Sequence, residues 1–177
     1  MKKLKDFKEV ILERRSIRVF DADCKISHAE MLEMLNETIL APSSMNLQPW
    51  RFIVVESAEN KKKLASLLGD NRSQVVSSSA VILALGDLQV GELAISPKKR
   101  EATNLDLGLA LMQLMGVARD HGYDTCAIGA FDERELGQAF QIDLDRYTIV
   151  TTLAIGKAAE QGDEKDRIAA EKLTIFK

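Results

Sequence analysis

The chain has 177 residues, of which 46% are apolar and 29% are charged, and its formal net charge at pH 7 is −3. This balance is typical of a soluble globular domain and argues against a general nucleic-acid binder, because such domains carry a basic excess. No apolar run reaches the roughly 18 residues of a membrane-spanning helix, and Asp6, Lys8 and Glu9 interrupt any signal-peptide core. We therefore expect a cytoplasmic protein with no membrane partner and no nucleic-acid partner.

The first part of the chain predicts two helices. Lys5 to Glu13 carries apolar residues at helical spacing, and Ser27 and Glu30 form the S-x-x-E pattern of a capping box that opens a second helix. Pro42 ends this second helix, because proline cannot continue the hydrogen-bond pattern. Four residues of the second helix are expected to face inward: Met31, Leu32, Leu35 and Ile39.

Strands and helices then alternate to the end of the chain. The predicted strands are Trp50 to Val55, Ala80 to Leu85, Thr125 to Ile128, Tyr147 to Ile155 and a last short run, Leu173 to Phe176. The predicted helices are Ala58 to Leu68, Lys99 to His121 and Glu133 to Phe140, the last opened by a capping box of Asp132 and Glu135. No repeat or linker interrupts them, so we expect one domain, residues 1–177, of the α/β or α+β class.

The helix from Lys99 to His121 is apolar on more than one side. Its large apolar residues are Leu105, Leu109, Leu111, Met112, Leu114, Met115 and Val117. A helix with its back in water keeps such residues in a single stripe. We therefore expect this helix to be central in the fold or half-buried in a partner subunit.

A dense basic cluster follows the first helix. Arg14, Arg15 and Arg18 surround Ser16 within five residues. Each planar guanidinium matches two phosphate oxygens, and the hydroxyl adds a small donor. The cluster indicates an anion site, although a solvated, charged helix end explains it equally well when it is taken alone.

The loop from Pro42 to Pro49 is rich in small and amide side chains. Asn46 and Gln48 offer the donors and acceptors that suit the mixed edge of a flavin or a base, and Ser43 and Ser44 leave room for a flat ring. Taken alone, a connection whose polar groups satisfy its own backbone is the favoured interpretation.

Two further segments give weaker signals. Gly129 and Ala130 lie in a strand-to-helix connection, where a backbone N–H could reach a ligand, and Lys165 and Arg167 form a second basic pair. Taken alone, an ordinary turn and a solvated tail are the favoured interpretations.

Other chemistries find no support in the sequence. It contains no G-x-G-x-x-G and no Walker A motif, and Cys24 and Cys126 match no ligand spacing, so no metal site is predicted. His28 and His121 are expected to be surface residues rather than catalytic bases. No side chain is assigned a catalytic role.

Taken in order, these segments resemble the FMN-dependent nitroreductase family. Arg-Arg-Ser-Ile-Arg-x-Phe over residues 14–20 is followed by Ala-Pro-Ser-Ser-x-Asn-x-Gln-Pro-Trp over residues 41–50. The similarity continues through Asn71, Asp106-x-Gly108, Cys126 to Asp132 and Lys165-x-Arg167. It covers nearly the whole chain, and the first two motifs are fairly specific as a pair.

The resemblance implies a role for each segment. One subunit would hold the FMN phosphate and ribityl chain through Arg14, Arg15, Ser16, Arg18, Lys165 and Arg167. Asn71 would hydrogen-bond the pyrimidine side of the flavin, while Gly129 and Ala130 would lie over the ring. The other subunit of a homodimer would contribute Pro42, Ser43, Ser44, Asn46 and Gln48, so that the active sites lie at the subunit interface.

The resemblance also implies a fold and an activity. The fold would be α+β, with a mostly antiparallel sheet flanked by helices, in an intertwined homodimer whose C-terminal segment crosses to the partner's sheet. The enzyme would pass hydride from NAD(P)H through FMN to a nitroaromatic, a quinone or a similar electron-poor acceptor, in ping-pong order. Alternatives with the same fold are dehalogenation, fragmentation of the flavin, or FMN sensing or storage without turnover.

Three features depart from the family pattern, and one of them is a short tail around Lys165 and Arg167. Ala130 stands where a second glycine is common, and the connection from Leu88 to Lys98 is short where many relatives insert a helical lid. We therefore expect a more open substrate pocket. The physiological acceptor and the preference for NADH or NADPH are left open by the sequence.

Overall fold

The structure is a computed structural model in which residues 6–177 are described. The helices are α1 (Phe7–Glu13), α2 (His28–Thr38), α3 (Ala58–Ala65), α4 (Arg72–Ser77), α5 (Leu88–Gly91), α6 (Lys99–Asp120) and α7 (Glu133–Phe140). The strands are β1 (Trp50–Val55), β2 (Ala80–Asp87), β3 (Asp124–Ile128) and β4 (Tyr147–Gly156). Short 3₁₀ turns lie at Ser44–Asn46, Gly69–Asn71 and Ala170–Lys172.

The four strands form one sheet in the order β1-β2-β4-β3, and every neighbouring pair is antiparallel. The two central strands are the most apolar, and β2 is buried along its whole length. Within the described chain, the outer edge of β1 pairs with no other strand, whereas β3 is joined by an isolated bridge from Ser16. The sheet is therefore open along β1.

Alternation along β2 supplies a core to each face of the sheet, because successive side chains in a strand point to opposite sides. One core contains Val81, Leu83 and Leu85 together with residues of α3, α4 and α7. The other contains Ala80, Ile82 and Ala84 together with residues of α2 and α6. The helices thus cover both faces, as the α+β prediction requires.

A β-bulge in β4 changes which of its residues face each core. Ala84 pairs with Thr151 and Leu85 with Ile149, so Val150 is an extra residue between two paired ones. As a result, Ile149 belongs to the α3–α7 core, whereas Leu153 belongs to the α2–α6 core. Strict alternation along β4 would have put these two residues on the same face.

Local hydrogen bonds explain where the helices begin. The Ser27–Glu30 capping box is present at the start of α2, with both of its reciprocal bonds formed. At the start of α7, Asp132 accepts from the backbone N–H groups of Arg134 and Glu135, at 2.8 Å and 3.0 Å. The Glu135 side chain accepts no hydrogen bond from the backbone N–H of Asp132, so the predicted capping box is only half formed.

Three expectations about the elements need correction. Leu32 and Ile39 of α2 are 59% and 41% exposed rather than inward-facing, since Met31, Met34 and Thr38 form the buried stripe. Helix α3 ends at Ala65 rather than Leu68, because the chain tightens into the 3₁₀ turn that begins at Gly69, where φ is +53°. The run from Leu173 to Phe176 forms no strand within the described chain and is exposed.

Candidate cofactor site

The first and last parts of the chain meet beside β3. Ile17 donates its backbone N–H to Thr125 of β3 at 3.1 Å, which lays the segment after α1 along the edge of the sheet. The tail after β4 then pairs with that segment, because Ala159 donates to the Val19 carbonyl at 3.0 Å and Asp21 donates to the Lys157 carbonyl at 2.9 Å. Two stretches separated by about 140 residues along the chain therefore lie side by side.

This pairing brings together the two predicted basic groups. They line a cavity of about 270 Å³, whose walls are formed by Arg14, Arg15, Ser16, Arg18, Asp163, Glu164, Lys165, Asp166 and Arg167. Lys165 reaches back to α1, where its Nζ donates to the carbonyl oxygens of Ile11 and Leu12. The tail pair thus completes the Arg14–Arg18 cluster.

The cations of this cavity lie close enough to repel one another. Burial lowers the pKa of Lys165, and the nearby charges of Arg15, Arg14 and Arg167 lower it further. The protonated amine is therefore disfavoured by its neighbours, and a bound anion would relieve that repulsion. Such an arrangement suits a multiply charged phosphate better than it suits water.

Acidic side chains of the tail contact Arg18, which is one of the cations that line this cavity. Arg18 Nη1 lies 3.0 Å from Asp163 Oδ2, with the two side chains 52% and 88% exposed. Glu160 Oε1 accepts from the backbone N–H groups of Arg18 and Val19, at 2.7 Å and 3.1 Å. The Arg18–Asp163 pair is exposed and therefore weak, so a phosphate could replace the carboxylate as the partner of Arg18.

The loop Pro42–Pro49 adopts an unusual backbone conformation. Met45, Asn46 and Gln48 have φ values of 51°, 58° and 51°, in the left-handed region that favours glycine. Ser43 Oγ accepts from Gln48 N at 3.0 Å, which closes the loop on itself. The Asn46 and Gln48 side chains are exposed and remain accessible to a ligand or a partner.

Asn71 has a neighbour that the sequence analysis did not select. Asn71 Oδ1 accepts from Gln74 Nε2 at 2.9 Å, one turn along into α4. Gln74 is buried, and its Oε1 has no hydrogen-bond partner within the described chain. A buried acceptor of this kind is costly unless a ligand or a water satisfies it, so Gln74 is a candidate ligand contact beside Asn71. Its helical spacing from Asn71 was the only signal in the sequence.

Gly129 and Ala130 lie in the short connection between β3 and α7. Both are exposed, and a side chain at Gly129 would meet nothing within 4 Å. No acceptor within the described chain receives a hydrogen bond from either backbone N–H. The connection can therefore present these donors to a flat ligand without any side chain in the way.

The two predicted halves of the site do not meet within one chain. No hydrogen bond or ion pair in residues 6–177 joins the loop Pro42–Pro49 to the basic cavity. The loop and the basic cavity therefore do not form a single site within the described chain.

The two histidines lie outside this cavity, and one of them differs from expectation. His28 is exposed, and its bond from Nε2 to Glu56 Oε1 at 2.5 Å raises its pKa. The His121 side chain is only 15% exposed rather than on the surface, because it follows the last turn of α6 and packs against α2, 3.2 Å from Glu37.

Glu33, Glu37 and His121 bring one ligand atom each within 4.8 Å of one another. Acidic groups often approach this closely without an ion, so the absence of a metal site stays a prediction.

An apolar groove separates α1 from α6 on the outer surface. It measures about 550 Å³, and Phe7, Ile11, Leu109 and Met112 are among its lining residues. Leu105, Leu109 and Met112 of α6 are 64%, 42% and 48% exposed. The second apolar face predicted for this helix is therefore open to solvent in the single chain.

Comparison with known proteins identifies the group to which this arrangement belongs. The model of the nitroreductase family matches residues 11–74 and 69–157. The chain belongs to the nitroreductase family. Both the resemblance seen in the sequence and the expected α+β fold are thereby confirmed.

Individual nitroreductase-family proteins are similar over their whole length. YdgI of Bacillus subtilis, which carries the name NAD(P)H nitroreductase, is 39% identical over 209 aligned positions that span all of both chains. The CLA biosynthesis enone reductase of Lactiplantibacillus plantarum is 33% identical, over 97% of this chain and 94% of its own. A solved nitroreductase in complex with FMN, from Exiguobacterium sibiricum, is 37% identical and covers 98% of each chain with a TM-score of 0.91.

None of the helices among residues 6–177 is long and apolar enough to cross a membrane.

Proposed function

We propose that the protein is an FMN-dependent oxidoreductase that takes hydride from NAD(P)H and delivers it to an electron-poor acceptor such as a nitroaromatic or a quinone, in ping-pong order. The observation that carries this proposal is the convergence of Arg14 to Arg18 with Lys165 and Arg167 in one cavity. It is supported by the FMN complex of the Exiguobacterium relative and by the name NAD(P)H nitroreductase of YdgI.

The residues present fit FMN at both ends of the molecule. Four guanidinium groups and one amine surround a cavity with a hydroxyl donor, which suits a phosphate dianion. The unpaired, buried Oε1 of Gln74 and the exposed amides of Asn46 and Gln48 suit the mixed donors and acceptors of the flavin ring.

The roles of the chain follow from this assignment. When bound, FMN supplies the hydride chemistry, so no side chain needs to act as a nucleophile. The basic cluster binds the phosphate and offsets its charge, while Asn71 and Gln74 orient the ring. The backbone N–H groups of Gly129 and Ala130 would offer hydrogen-bond donors to the ring and would stabilise negative charge on it, because preorganised donors need no rearrangement when charge develops.

The proposal includes a homodimer in which each site uses both subunits. The loop Pro42–Pro49 of one subunit would complete the basic cavity of the other. The exposed stripe on α6 and the groove beside α1 would form the interface, and the free edge of β1 would accept the partner's C-terminal segment. Leu173, Ile175 and Phe176 are 68%, 83% and 92% exposed in the single chain, so this segment has apolar surface to bury. A cytoplasmic location and a single domain over residues 1–177 stay predictions of the sequence.

A second class of acceptor deserves the same assay. The enone reductase of Lactiplantibacillus plantarum is similar over 97% of this chain. A conjugated enone is electron-poor, as a nitroaromatic is, so we include it among the candidate acceptors.

The proposal is tested by the spectrum and the turnover of the purified protein. We expect a yellow protein, or uptake of added FMN, and oxidation of NADH or NADPH that depends on a quinone, a nitroaromatic or an enone. Arg14→Ala combined with Arg18→Ala is expected to weaken FMN binding by at least about tenfold, because charge-assisted bonds to phosphate are lost. Lys62→Ala combined with Arg134→Ala, at exposed positions of α3 and α7, is the matched loss of two cations outside the cavity.

Three outcomes would contradict the proposal. A protein that fails to take up FMN would remove its basis. Tight FMN binding without reduction by either nicotinamide would favour sensing or storage. Equal FMN affinity in the double arginine variant would mean that the cluster is only a charged helix end.

A further inference from the structure

We propose that Asp106, a buried carboxylate of α6, is a positioning residue that holds the loop Pro42–Pro49 in the shape that recognises the flavin ring. We call this segment the flavin loop. The inference rests on the proposed function, which assigns Asn46 and Gln48 to the ring, and it extends that function to a residue outside the predicted contact set.

The flavin loop cannot hold its conformation through intrinsic preference. Met45, Asn46 and Gln48 are all in the left-handed region, and none of them is glycine. Met45 and Gln48 are disfavoured there, because the Cβ of each approaches the following carbonyl oxygen, whereas asparagine is one of the few non-glycine residue types that adopt this conformation readily. Conformations of this kind persist only where surrounding contacts fix them, and they are concentrated at ligand sites.

Asp106 supplies such a contact at the beginning of the flavin loop. Its Oδ1 accepts from the backbone N–H of Ser44 at 3.0 Å, and Asp106 as a whole is only 5% exposed. It lies between residues of α6 that are packed into the sheet core, such as Leu107 at 0% exposure. The acceptor is therefore held on a rigid element, while the donor belongs to the turn that leads into the left-handed residues.

A second buried carboxylate acts at the other end of the flavin loop. Asp87 N donates to the Pro49 carbonyl at 2.7 Å, and Asp87 Oδ2 pairs with Arg51 Nη2 at 3.3 Å. Arg51 in turn donates from Nη1 to the Gln48 carbonyl at 3.3 Å. The Asp87 side chain is fully buried, and Arg146 also pairs with it at 3.0 Å. The flavin loop is thus fixed at both ends, which leaves Asn46 and Gln48 exposed in between.

The test separates the hydrogen bond from the charge and from general stability. Asp106→Asn keeps an oxygen that can accept from Ser44, whereas Asp106→Leu removes it while keeping the same branched arrangement of side-chain heavy atoms. Thr103→Val is the control on the same helix, because Thr103 is 1% exposed and its hydroxyl bonds only to α6 itself, at the Lys99 carbonyl. Arg51→Met is a second variant, at a side chain 44% exposed, which weakens the other end of the flavin loop with less risk to folding.

Two readouts are compared across these variants. The first is amide hydrogen exchange over residues 43–48 in the protein without FMN. The second is FMN affinity together with the visible circular dichroism of bound FMN, which reports on the surroundings of the ring. We expect faster exchange, an altered dichroism band and about tenfold weaker FMN binding in Asp106→Leu, since an acceptor for a backbone N–H is lost. Asp106→Asn and Thr103→Val are expected to stay close to the wild type in both readouts.

The outcomes distinguish this inference from the proposed function. Unchanged exchange over residues 43–48 in both Asp106→Leu and Arg51→Met would overturn the positioning role, whether or not FMN binds. Equal losses in Thr103→Val and Asp106→Leu would reduce the role to general stability and would also overturn it. A wild-type protein that fails to bind FMN would overturn the proposed function, and with it the link to the ring, while the exchange result would still decide the conformation of the loop.

Discussion

At the scale of single residues, the basic cavity contains its own competitor. Asp163 pairs with Arg18 on the surface that is proposed to bind phosphate. Because the pair is exposed, its attraction is small and strongly screened by salt. Its main effect would therefore be to occupy Arg18 in the absence of cofactor, rather than to stabilise the fold.

Removing this competitor is expected to tighten FMN binding. For Asp163→Asn we expect a dissociation constant for FMN about 2- to 5-fold lower at low ionic strength, with the difference vanishing at high salt. Asp145→Asn is the control, because it removes an equal charge at another exposed position. Isothermal titration with FMN at two salt concentrations measures both variants. A tighter complex in Asp145→Asn as well would indicate only a change in the overall field, and an unchanged Asp163→Asn would show that the pair does not compete.

Not every residue of the candidate site can be selected from the sequence. The Arg14–Arg18 cluster could be selected because its guanidinium groups suit an anion and because the family resemblance favoured that interpretation over a solvated helix end. Gln74 could not be selected in this way, since its importance lies in an orphaned oxygen. Asp106 entered only as part of the Asp106-x-Gly108 motif of the family resemblance, which did not indicate its bond to the backbone N–H of Ser44. Both depend on tertiary contacts that no local pattern encodes.

At the scale of elements, strands and helices were predicted best where the chain marks its own boundaries. Strand β1 and helix α7 have the predicted bounds, since each is set by a change of pattern and, for α7, by the Asp132 cap. The inward face of α2 was predicted wrongly in part, because Leu32 and Ile39 are apolar but exposed. An apolar residue that stays exposed in the single chain cannot be told from a core residue by periodicity alone.

The two serine caps provide a test of electrostatics at helix starts. Ser27 forms a capping box with Glu30, whereas Ser57 caps α3 through a single bond to Asn60 N. The Ser27 hydrogen bonds are the main cause that lowers the pKa of Glu30 below 4.5, with Tyr123 adding to the shift. A carboxyl whose folded-state pKa is lowered contributes stability above its unfolded pKa, and this contribution is lost as the pH falls through the lowered value.

Ser27→Ala and Ser57→Ala are therefore expected to differ in their pH dependence. Each is expected to cost about 1 kcal/mol of unfolding free energy at neutral pH, from the lost cap. The cost of Ser27→Ala is expected to shrink as the pH falls below 4.5, because protonated Glu30 no longer gains from Ser27. The cost of Ser57→Ala is expected to stay constant. Urea unfolding of the three proteins across this pH range is the measurement, and parallel curves for the two variants would refute the linkage.

At the scale of the whole molecule, the fold could be predicted from the sequence more completely than the site. The spacing of apolar residues predicted the sheet and the helices that cover it, because these elements bury their apolar faces within one chain. The site could be predicted only in part, since the flavin loop and the basic cavity are not joined within residues 6–177. The apolar excess of α6 is a local sign that supports the proposal that the remaining half comes from another copy.

The exposed stripe on α6 has the geometry of an interface. Leu105, Leu109 and Met112 recur at the spacing that keeps residues on one helix face, and α1 adds Phe7 and Ile11, at 76% and 43% exposure. The 22-residue helix is about 33 Å long at 1.5 Å per residue, so it can span an interface of the usual size. Stable dimers generally bury at least about 1,000 Å² in total, and exposed apolar patches of this kind are uncommon on monomers.

A single negative charge in this stripe is therefore expected to separate the subunits and to weaken FMN binding. For Met112→Glu we expect a monomer in sedimentation velocity at micromolar concentration and at least about tenfold weaker FMN binding, because a buried, unpaired carboxylate opposes association. Gln138→Glu adds the same charge at an exposed position of α7 and is expected to leave both properties unchanged. A Met112→Glu monomer that binds FMN as tightly as the wild type would show that one chain suffices for the site. A Met112→Glu dimer would move the interface away from α6.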